Sequence, residues 1–146
     1  MANLRMDMTG PSWQMQYRVI YGDTDAAGIV YYANYFRFME MGRNELMRNL
    51  VIPYQEIEQD GIIIPVIEAH IRYKAPARYD DLLTITSCLA ELSRWSCRFH
   101  YRISCQRDDK EQLLVKGFTK HACIDQQGKL VAVPEKVLQI SKVEQS

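Results

Sequence analysis

The chain has 146 residues, with 18 basic and 18 acidic side chains, 47% apolar residues and 25% charged ones, the composition of one globular domain. A domain of this length buries about 70% of the surface that its unfolded chain exposes, so its core can hold it without disulfides or a structural metal. A formal charge of zero argues against nucleic acid as the main partner, because phosphate binding needs a basic excess. No run approaches the length of an apolar membrane-spanning helix.

Met1 to Met8 lacks a basic start followed by an apolar run, so it does not read as a signal peptide, and a cytoplasmic location is expected. The four cysteines, Cys88, Cys97, Cys105 and Cys123, include no CxxC pair; they suit reduced core thiols better than a disulfide frame or a metal site. Repeats and Pro- or Ser-rich linkers are absent, so residues 1–146 read as a single domain. Residues 1–12 read as a loose N-terminal tail, and 141–146 as a polar end.

Gln14 to Tyr21 alternates Met15, Tyr17, Val19 and Tyr21 against a more polar set, the pattern of a half-buried strand. A loop follows at Gly22 to Gly28. From Asn34 the period changes, with Tyr35, Phe38, Met39, Gly42, Leu46 and Leu50 at three- and four-residue spacings, which predicts a helix of about four turns. Phe36, Met41 and Met47 widen its apolar surface, as expected of a central helix buried on more than one side. Pro53 ends it, and Asp60-Gly61 marks a turn before a strand at Ile62 to Lys74 that carries one polar face.

Leu82 to Leu89 is the next strand, rich in residues that favour a pleated surface. The clearest alternation runs from Trp95 to Cys105: Trp95, Cys97, Phe99, Tyr101, Ile103 and Cys105 face one way, and Ser96, Arg98, His100, Arg102 and Ser104 the other. Such a strand needs a cover for its apolar side. Arg107 to Glu111 is a charged turn, Leu113 to Ile124 a further strand, Gln126 to Lys129 a turn, and Pro134 to Ile140 a short element whose type the pattern leaves open. The order of strand, long helix and four strands joined by short turns gives an α+β plan with an antiparallel sheet. The free sheet edge or outer face is a natural place for a second subunit, so a homodimer or tetramer is expected.

The chemistry concentrates in Tyr21-Gly22-Asp23-Thr24-Asp25-Ala26-Ala27-Gly28-Ile29-Val30-Tyr31-Tyr32-Ala33-Asn34-Tyr35, which joins a strand to a helix. Two carboxylates precede a small-residue stretch that lets backbone N–H groups approach a ligand, and a helix N-terminus presents unpaired donors. A carbonyl oxygen gaining negative charge would be stabilised there, beside an acidic side chain able to attack or to deprotonate water. Acyl transfer fits such a pair. The alternative for either Asp is a turn former or N-cap. A calcium loop is a third reading, since Asp23-x-Asp25-x-x-Gly28 copies the start of an EF-hand, but Ala27 and Asn34 stand where further ligands belong, and no metal is expected.

The run YGDTDAAGIVYYANYFRFMEMGR resembles the signature of the hot-dog-fold acyl-CoA thioesterases, the 4-hydroxybenzoyl-CoA thioesterase and YbgC-like group. The resemblance continues through Tyr73-Lys74-Ala75-Pro76-Ala77-Arg78-Tyr79-Asp80-Asp81 and Leu92-Ser93-Arg94-Trp95-Ser96, and covers about nine-tenths of the chain. It implies a five-stranded antiparallel sheet wrapped around one long central helix, paired with a second copy so that active sites lie at the dimer interface. It also implies that Asp25 is the catalytic carboxylate, as nucleophile or general base, and that the Tyr32 N–H polarises the thioester carbonyl with Gly28 permitting close approach. Tyr21 then matches an assisting tyrosine. For the substrate it implies binding contacts from Val30, with Arg94, Ser96 and Arg78 toward the coenzyme A nucleotide, coenzyme A entering as part of the substrate and not as a cofactor.

Many YbgC-like members carry His where this chain has Tyr32, so no imidazole is available at that position, and positioning of Asp25 must supply most of the rate. A hydratase of the same fold would place His five residues after an Asp, but Val30 and Gly28 hold those places. His70, His100 and His121 lie in strand patterns and read as surface or inter-subunit residues. Between Arg94 and Lys120 seven basic residues face three acidic ones, an excess suited to capturing phosphates, although Arg98 and Arg102 also read as a solvated strand face. Tyr31, Tyr32, Tyr35, Phe36 and Phe38 crowd the helix start as an acyl pocket or as packing. The expected function is acyl-CoA thioester hydrolysis; the alternative is a non-hydrolytic acyl-CoA or acyl-carrier-protein binding module, from which an enzyme is distinguished by loss of kcat on Asp25→Asn. A pure protein-interaction domain would bind no coenzyme A.

Overall fold

The alternating and helical periods resolve into a computed structural model that describes residues 4–140. The elements are β1 (Ser12–Arg18), a single 3-10 turn (Tyr21–Asp23), α1 (Asn34–Leu50), α2 (Tyr54–Gln59), β2 (Val66–Tyr73), β3 (Leu82–Leu92), β4 (Ser96–Arg107), β5 (Lys110–Ala122) and α3 (Glu135–Leu138). All five strands form one antiparallel sheet in the order β1-β3-β4-β5-β2, curved around α1 in the expected hot-dog plan. The inner row is read directly from the register: Leu83, Ile85 and Leu89 of β3 lie opposite Cys105, Ile103 and Phe99 of β4, and all are buried against α1.

Helix α1 contributes Tyr35, Phe38, Met39, Gly42, Leu46 and Met47 to this core. Two glycines let it sit down on the sheet. A Cβ on Gly42 would lie 2.5 Å from Ser87 Oγ and 2.7 Å from Ile85 Cγ2, and one on Gly117 of β5 would lie 2.5 Å from Met39 Cε and 2.7 Å from the His70 carbonyl oxygen. The opposite side of α1 stays open in the single chain: Phe36, expected to be buried, is 41% exposed. Trp95, which the alternation placed on the covered face, instead lies exposed at the β3–β4 turn, with the Arg94 guanidinium 4.9 Å from its ring centroid.

The outer face of the sheet differs most from expectation. Residues 4–11, read as part of a loose tail, lie across it as a strap. The Arg98 guanidinium donates from Nη2 to the Arg5 carbonyl (2.6 Å) and from Nε to His100 Nε2 (2.8 Å), His100 Nδ1 meets the Asp7 carbonyl, and the Leu89 N–H donates to the Pro11 carbonyl (2.9 Å). Arg98 also lies 3.7 Å over the Phe118 ring. Covered in this way, Arg98 and His100 are buried, not solvated as the strand pattern had suggested. Burial holds the His100 imidazole below its ordinary pKa.

His121, the second histidine expected at a surface, is also buried. It ends a one-way chain of donors: Arg43 Nη1 to Tyr101 Oη (3.0 Å), the Tyr101 hydroxyl to Thr119 Oγ1 (2.6 Å), the Thr119 hydroxyl to His121 Nε2 (2.8 Å), and His121 Nδ1–H to the Ile64 carbonyl (3.3 Å). The direction follows from the carbonyl at its end, which only accepts. Burial and the Arg43 charge bring the His121 pKa down to about 4.

Helix α2 follows Pro53 where only a helix end and a turn were expected, and Pro134 opens α3, the element whose type was left open. The β4–β5 hairpin turns at Asp108 and Asp109, both with positive φ (51° and 62°), the backbone shape that matches the twist of the paired strands. Strand β2 pairs only with β5, so its other edge is free within the chain.

Candidate active site

The two aspartates of the Asp-x-Asp segment have separate structural roles. Asp23 is fully buried. Its Oδ2 accepts from the Tyr17 hydroxyl (2.8 Å) and the Ile20 N–H (3.0 Å), and its Oδ1 pairs with the Arg37 guanidinium. Its carbonyl accepts from the Tyr31 N–H (2.9 Å) and from Asn34 Nδ2 (2.8 Å). Asp23 therefore ties β1, the 3-10 turn and the start of α1 together. Burial and the neighbouring carboxylate raise the Tyr17 phenol, which keeps it a donor.

Asp25 opens a tight hairpin. Thr24 pairs with Val30, the Asp25 N–H donates to the Ile29 carbonyl (2.8 Å), and the Gly28 N–H returns to the Asp25 carbonyl (3.0 Å). Gly28 has φ of 81°, so it closes the turn in a conformation that a side chain would strain. Asp25 Oδ1 accepts from the Ala27 N–H (2.8 Å), the turn-forming bond anticipated for an Asp here. Its Oδ2 has no partner among the described residues. The carboxylate is thus aimed by one oxygen and available at the other.

The hairpin is clamped from outside. The Val30 N–H donates to the Ala77 carbonyl (2.9 Å) and Ile29 pairs with Arg78, while Tyr35 Oη accepts from the Ala77 N–H (3.1 Å). Immediately beyond, Tyr32 and Ala33 lead into α1, and neither N–H has an acceptor among the described residues. The Tyr32 carbonyl is held by the Tyr73 hydroxyl (3.0 Å), which fixes that peptide. These groups border a cleft of about 360 Å³ lined by Ile29, Val30, Tyr32, Tyr35, Tyr73 and Lys74 among others. Free N–H donors beside a largely apolar cleft are suited to an oxygen that gains charge during reaction.

Val30 and Tyr32 line the cleft, Asp25 and Gly28 sit in the hairpin that leads to them, and Arg78 adjoins through Ile29. Tyr21 is not among the cleft residues: it is 72% exposed and stacks on Tyr79 with centroids 3.7 Å apart. Arg94 and Ser96 lie at the β3–β4 turn, whereas Asp25 lies toward the opposite end of β3. The 11 residues of β3 at about 3.3 Å each separate them by roughly 30 Å in one chain. Tyr73 and Lys74 were not singled out from sequence, although the alternation had placed Tyr73 on the inner face of β2. Among the described residues, no group of three or more His, Cys, Asp or Glu is placed to hold a metal ion.

The chain is a hot-dog sheet around one long helix, with an acidic hairpin leading into that helix. Residues 19–140 match the thioesterase-like superfamily, and the chain belongs to it, classed accordingly as a thioester hydrolase. The chain is 38% identical over 126 residues to a protein of Aquifex aeolicus (strain VF5), spanning 86% of this chain and 94% of that one. It is 35% identical over 123 residues to the acyl-CoA thioesterase YbgC of Haemophilus influenzae, spanning 82% and 87%. Among solved structures, a 4-hydroxybenzoyl-CoA thioesterase carrying an Asp-to-Asn substitution, in complex with 4-hydroxybenzoyl-CoA, superposes with a TM-score of 0.83 at 26% identity, covering 90% of this chain and 99% of that one.

Proposed function

We propose that this protein hydrolyses acyl-CoA thioesters, with Asp25 as the reacting carboxylate and the Tyr32 N–H as the donor to the thioester carbonyl. The observation that carries this reading is an Asp25 carboxylate oxygen left without a partner among the described residues, in a hairpin whose returning arm, Ile29 and Val30, lines an apolar cleft together with Tyr32, whose N–H is also without an acceptor among them. The relatives named for acyl-CoA thioesters support the substrate class. In one route Asp25 Oδ2 attacks the carbonyl carbon, the thiolate of coenzyme A leaves, and water cleaves the resulting anhydride. In the other, Asp25 takes a proton from water, which attacks the carbonyl carbon directly, and the coenzyme A thiolate leaves as the tetrahedral intermediate collapses to the acid. In both, charge develops on the carbonyl oxygen facing Tyr32 N–H.

The working unit in this reading is at least a dimer. Phe36 of α1 and Val66 and Ile67 of β2 are 41%, 48% and 57% exposed beside the free β2 edge, a surface that a second copy would cover. A second copy would also carry Arg94 and Ser96 toward the cleft from which they are separated within one chain. Four buried, unpaired cysteines support a reducing, cytoplasmic location.

The test is thiol release from a panel of short, long and aromatic acyl-CoAs by the wild type and Asp25→Asn. An Asn side-chain oxygen still accepts from the Ala27 N–H, so the hairpin is retained and loss of kcat by 100-fold or more, with binding kept, is expected. Turnover unchanged by the substitution overturns the assignment of Asp25. Absence of turnover across the panel with coenzyme A esters still bound turns the reading to a binding module. In single-turnover hydrolysis in heavy-oxygen water, label in the Asp25 carboxylate identifies the covalent route with water attacking the aspartyl carbonyl, and trapping of the anhydride identifies it when water attacks the acyl carbonyl.

A further inference from the structure

The outer face of the sheet carries a row of like charges whose geometry points to an acidic protein partner. In the register, Arg72 of β2 lies opposite Lys116 of β5, and Lys116 lies opposite Arg102 of β4. Arg72 and Arg102 are exposed and Lys116 is half-buried. Like charges directly opposed across strands are unfavourable. Among the described residues none of the three forms an ion pair with a carboxylate.

Elsewhere on the same face the sheet balances its charges. The row across the same strands toward the β3–β4 turn reads Glu68, Lys120, Arg98 and Glu91, with an acid at each end. Between the two rows, His70, Phe118, His100 and Cys88 run across the face, and the strap of residues 4–11 lies over His100 and Cys88. The row continues into Thr86 and Gln14, which offer hydrogen bonds and no apolar anchor, and the Glu111 carboxylate beside it is held by the Ser104 hydroxyl.

We propose that Arg72, Lys116 and Arg102 form a docking row for an acidic helix of another protein. Neighbouring strands stand about 4.8 Å apart, so the cations are spaced at about that interval along the row. Carboxylates at four-residue spacing on a helix rise about 6 Å per step, which suits three successive contacts. A second copy docked with its two-fold axis through the row would bring cation against cation. A bilayer surface is matched by clusters of four to eight basic residues, more than this row holds, and no exposed aliphatic side chain stands within it to insert.

The probe is a labelled, end-blocked 22-residue Ala/Glu helix with glutamates at four-residue spacing, and its Gln counterpart, titrated with the full chain by fluorescence anisotropy. The Glu peptide should bind, its Kd rising at least tenfold in the triple variant Arg72→Gln, Lys116→Gln, Arg102→Gln, and steeply between 50 and 200 mM salt. Lys136→Gln, on α3, should leave it unchanged. Absence of binding, equal binding of the Gln peptide, or indifference to the triple variant overturns the proposal. Binding of vesicles containing 30% phosphatidylglycerol without binding of the peptide overturns it in favour of a membrane. A raised KM for acyl-CoA in the triple variant, with peptide binding intact, overturns it in favour of a substrate contact. Thioester hydrolysis by the same preparations is read separately, so failure of this proposal leaves the assignment of Asp25 standing.

Discussion

Acid should destabilise this fold through its buried histidines, and His121 has the larger share. His121 is held neutral at the end of the Arg43–Tyr101–Thr119 chain, with its pKa at about 4, against about 6.5 in an unfolded chain. Above pH 6.5 neither state carries the extra proton and the group contributes no pH dependence. As pH falls below 6.5 the unfolded chain binds a proton that the folded one refuses, so stability is lost progressively until the folded histidine also titrates near 4. A difference of about 2.5 units at 1.36 kcal/mol each sets the full loss at roughly 3 kcal/mol, of which about 2.5 kcal/mol is gone by pH 4.5. His121→Gln removes the titration. Urea denaturation from pH 7 to 4.5, followed by far-UV circular dichroism, should show the wild type losing stability relative to His121→Gln by about that amount. A wild-type-minus-variant difference that stays constant within about 0.5 kcal/mol across the range would refute the reasoning.

Further expectations rest on other contacts. Asp23→Asn removes the anion that pairs with Arg37 and accepts from Tyr17 and Ile20, and should cost about 2–4 kcal/mol, lowering Tm as well as activity, whereas Asp25→Asn should leave Tm within about 2 °C. Gly117→Ala sets a Cβ 2.7 Å from the His70 carbonyl; backbone cannot step aside as a side-chain tip does, so a loss of about 2 kcal/mol or more in denaturation is expected. Asp109→Gly relieves a positive φ in the β4–β5 turn and should stabilise by about 0.5–1 kcal/mol, read as a raised urea midpoint. Cys88, buried and beside Met8 of the strap, has its thiol pushed up to about 11 by burial. Deleting residues 1–9 should therefore make one additional thiol reactive toward an aromatic disulfide reagent under native conditions.

The elements with long, regular periods were legible from sequence. The seventeen residues of α1 and the alternation of β4 predicted their own structure. What period does not show is which face a neighbour covers. Arg98 and His100 read as solvated because they alternate with apolar residues, and only the strap, which has no period at all, explains their burial. Helix α2 is too short, at six residues, to display a helical repeat. In the site, the loop from Gly22 to Gly28 was legible because Gly28 and two aspartates are turn formers, whereas its closure into a hairpin comes from the pairing of Thr24 with Val30. The division of labour between those aspartates was not, since it depends on Tyr17 and Arg37 arriving from β1 and α1. The separation of Arg94 and Ser96 from Asp25 follows from strand length and direction, which no local motif contains.

The unequal engagement of the two aspartates also shapes what substitution can do to this protein over time. Both oxygens of Asp23 are committed to the architecture, so changes there are removed together with the fold. Asp25 commits one oxygen to its own turn and leaves the other outside the structure's needs. A single neutral replacement at that position retains hairpin, cleft and helix start while discarding the carboxylate proposed to react. On the proposed role of Asp25, hydrolysis and mere retention of a coenzyme A ester are one exchange apart on this scaffold, and a lineage crosses between them without passing through an unfolded intermediate.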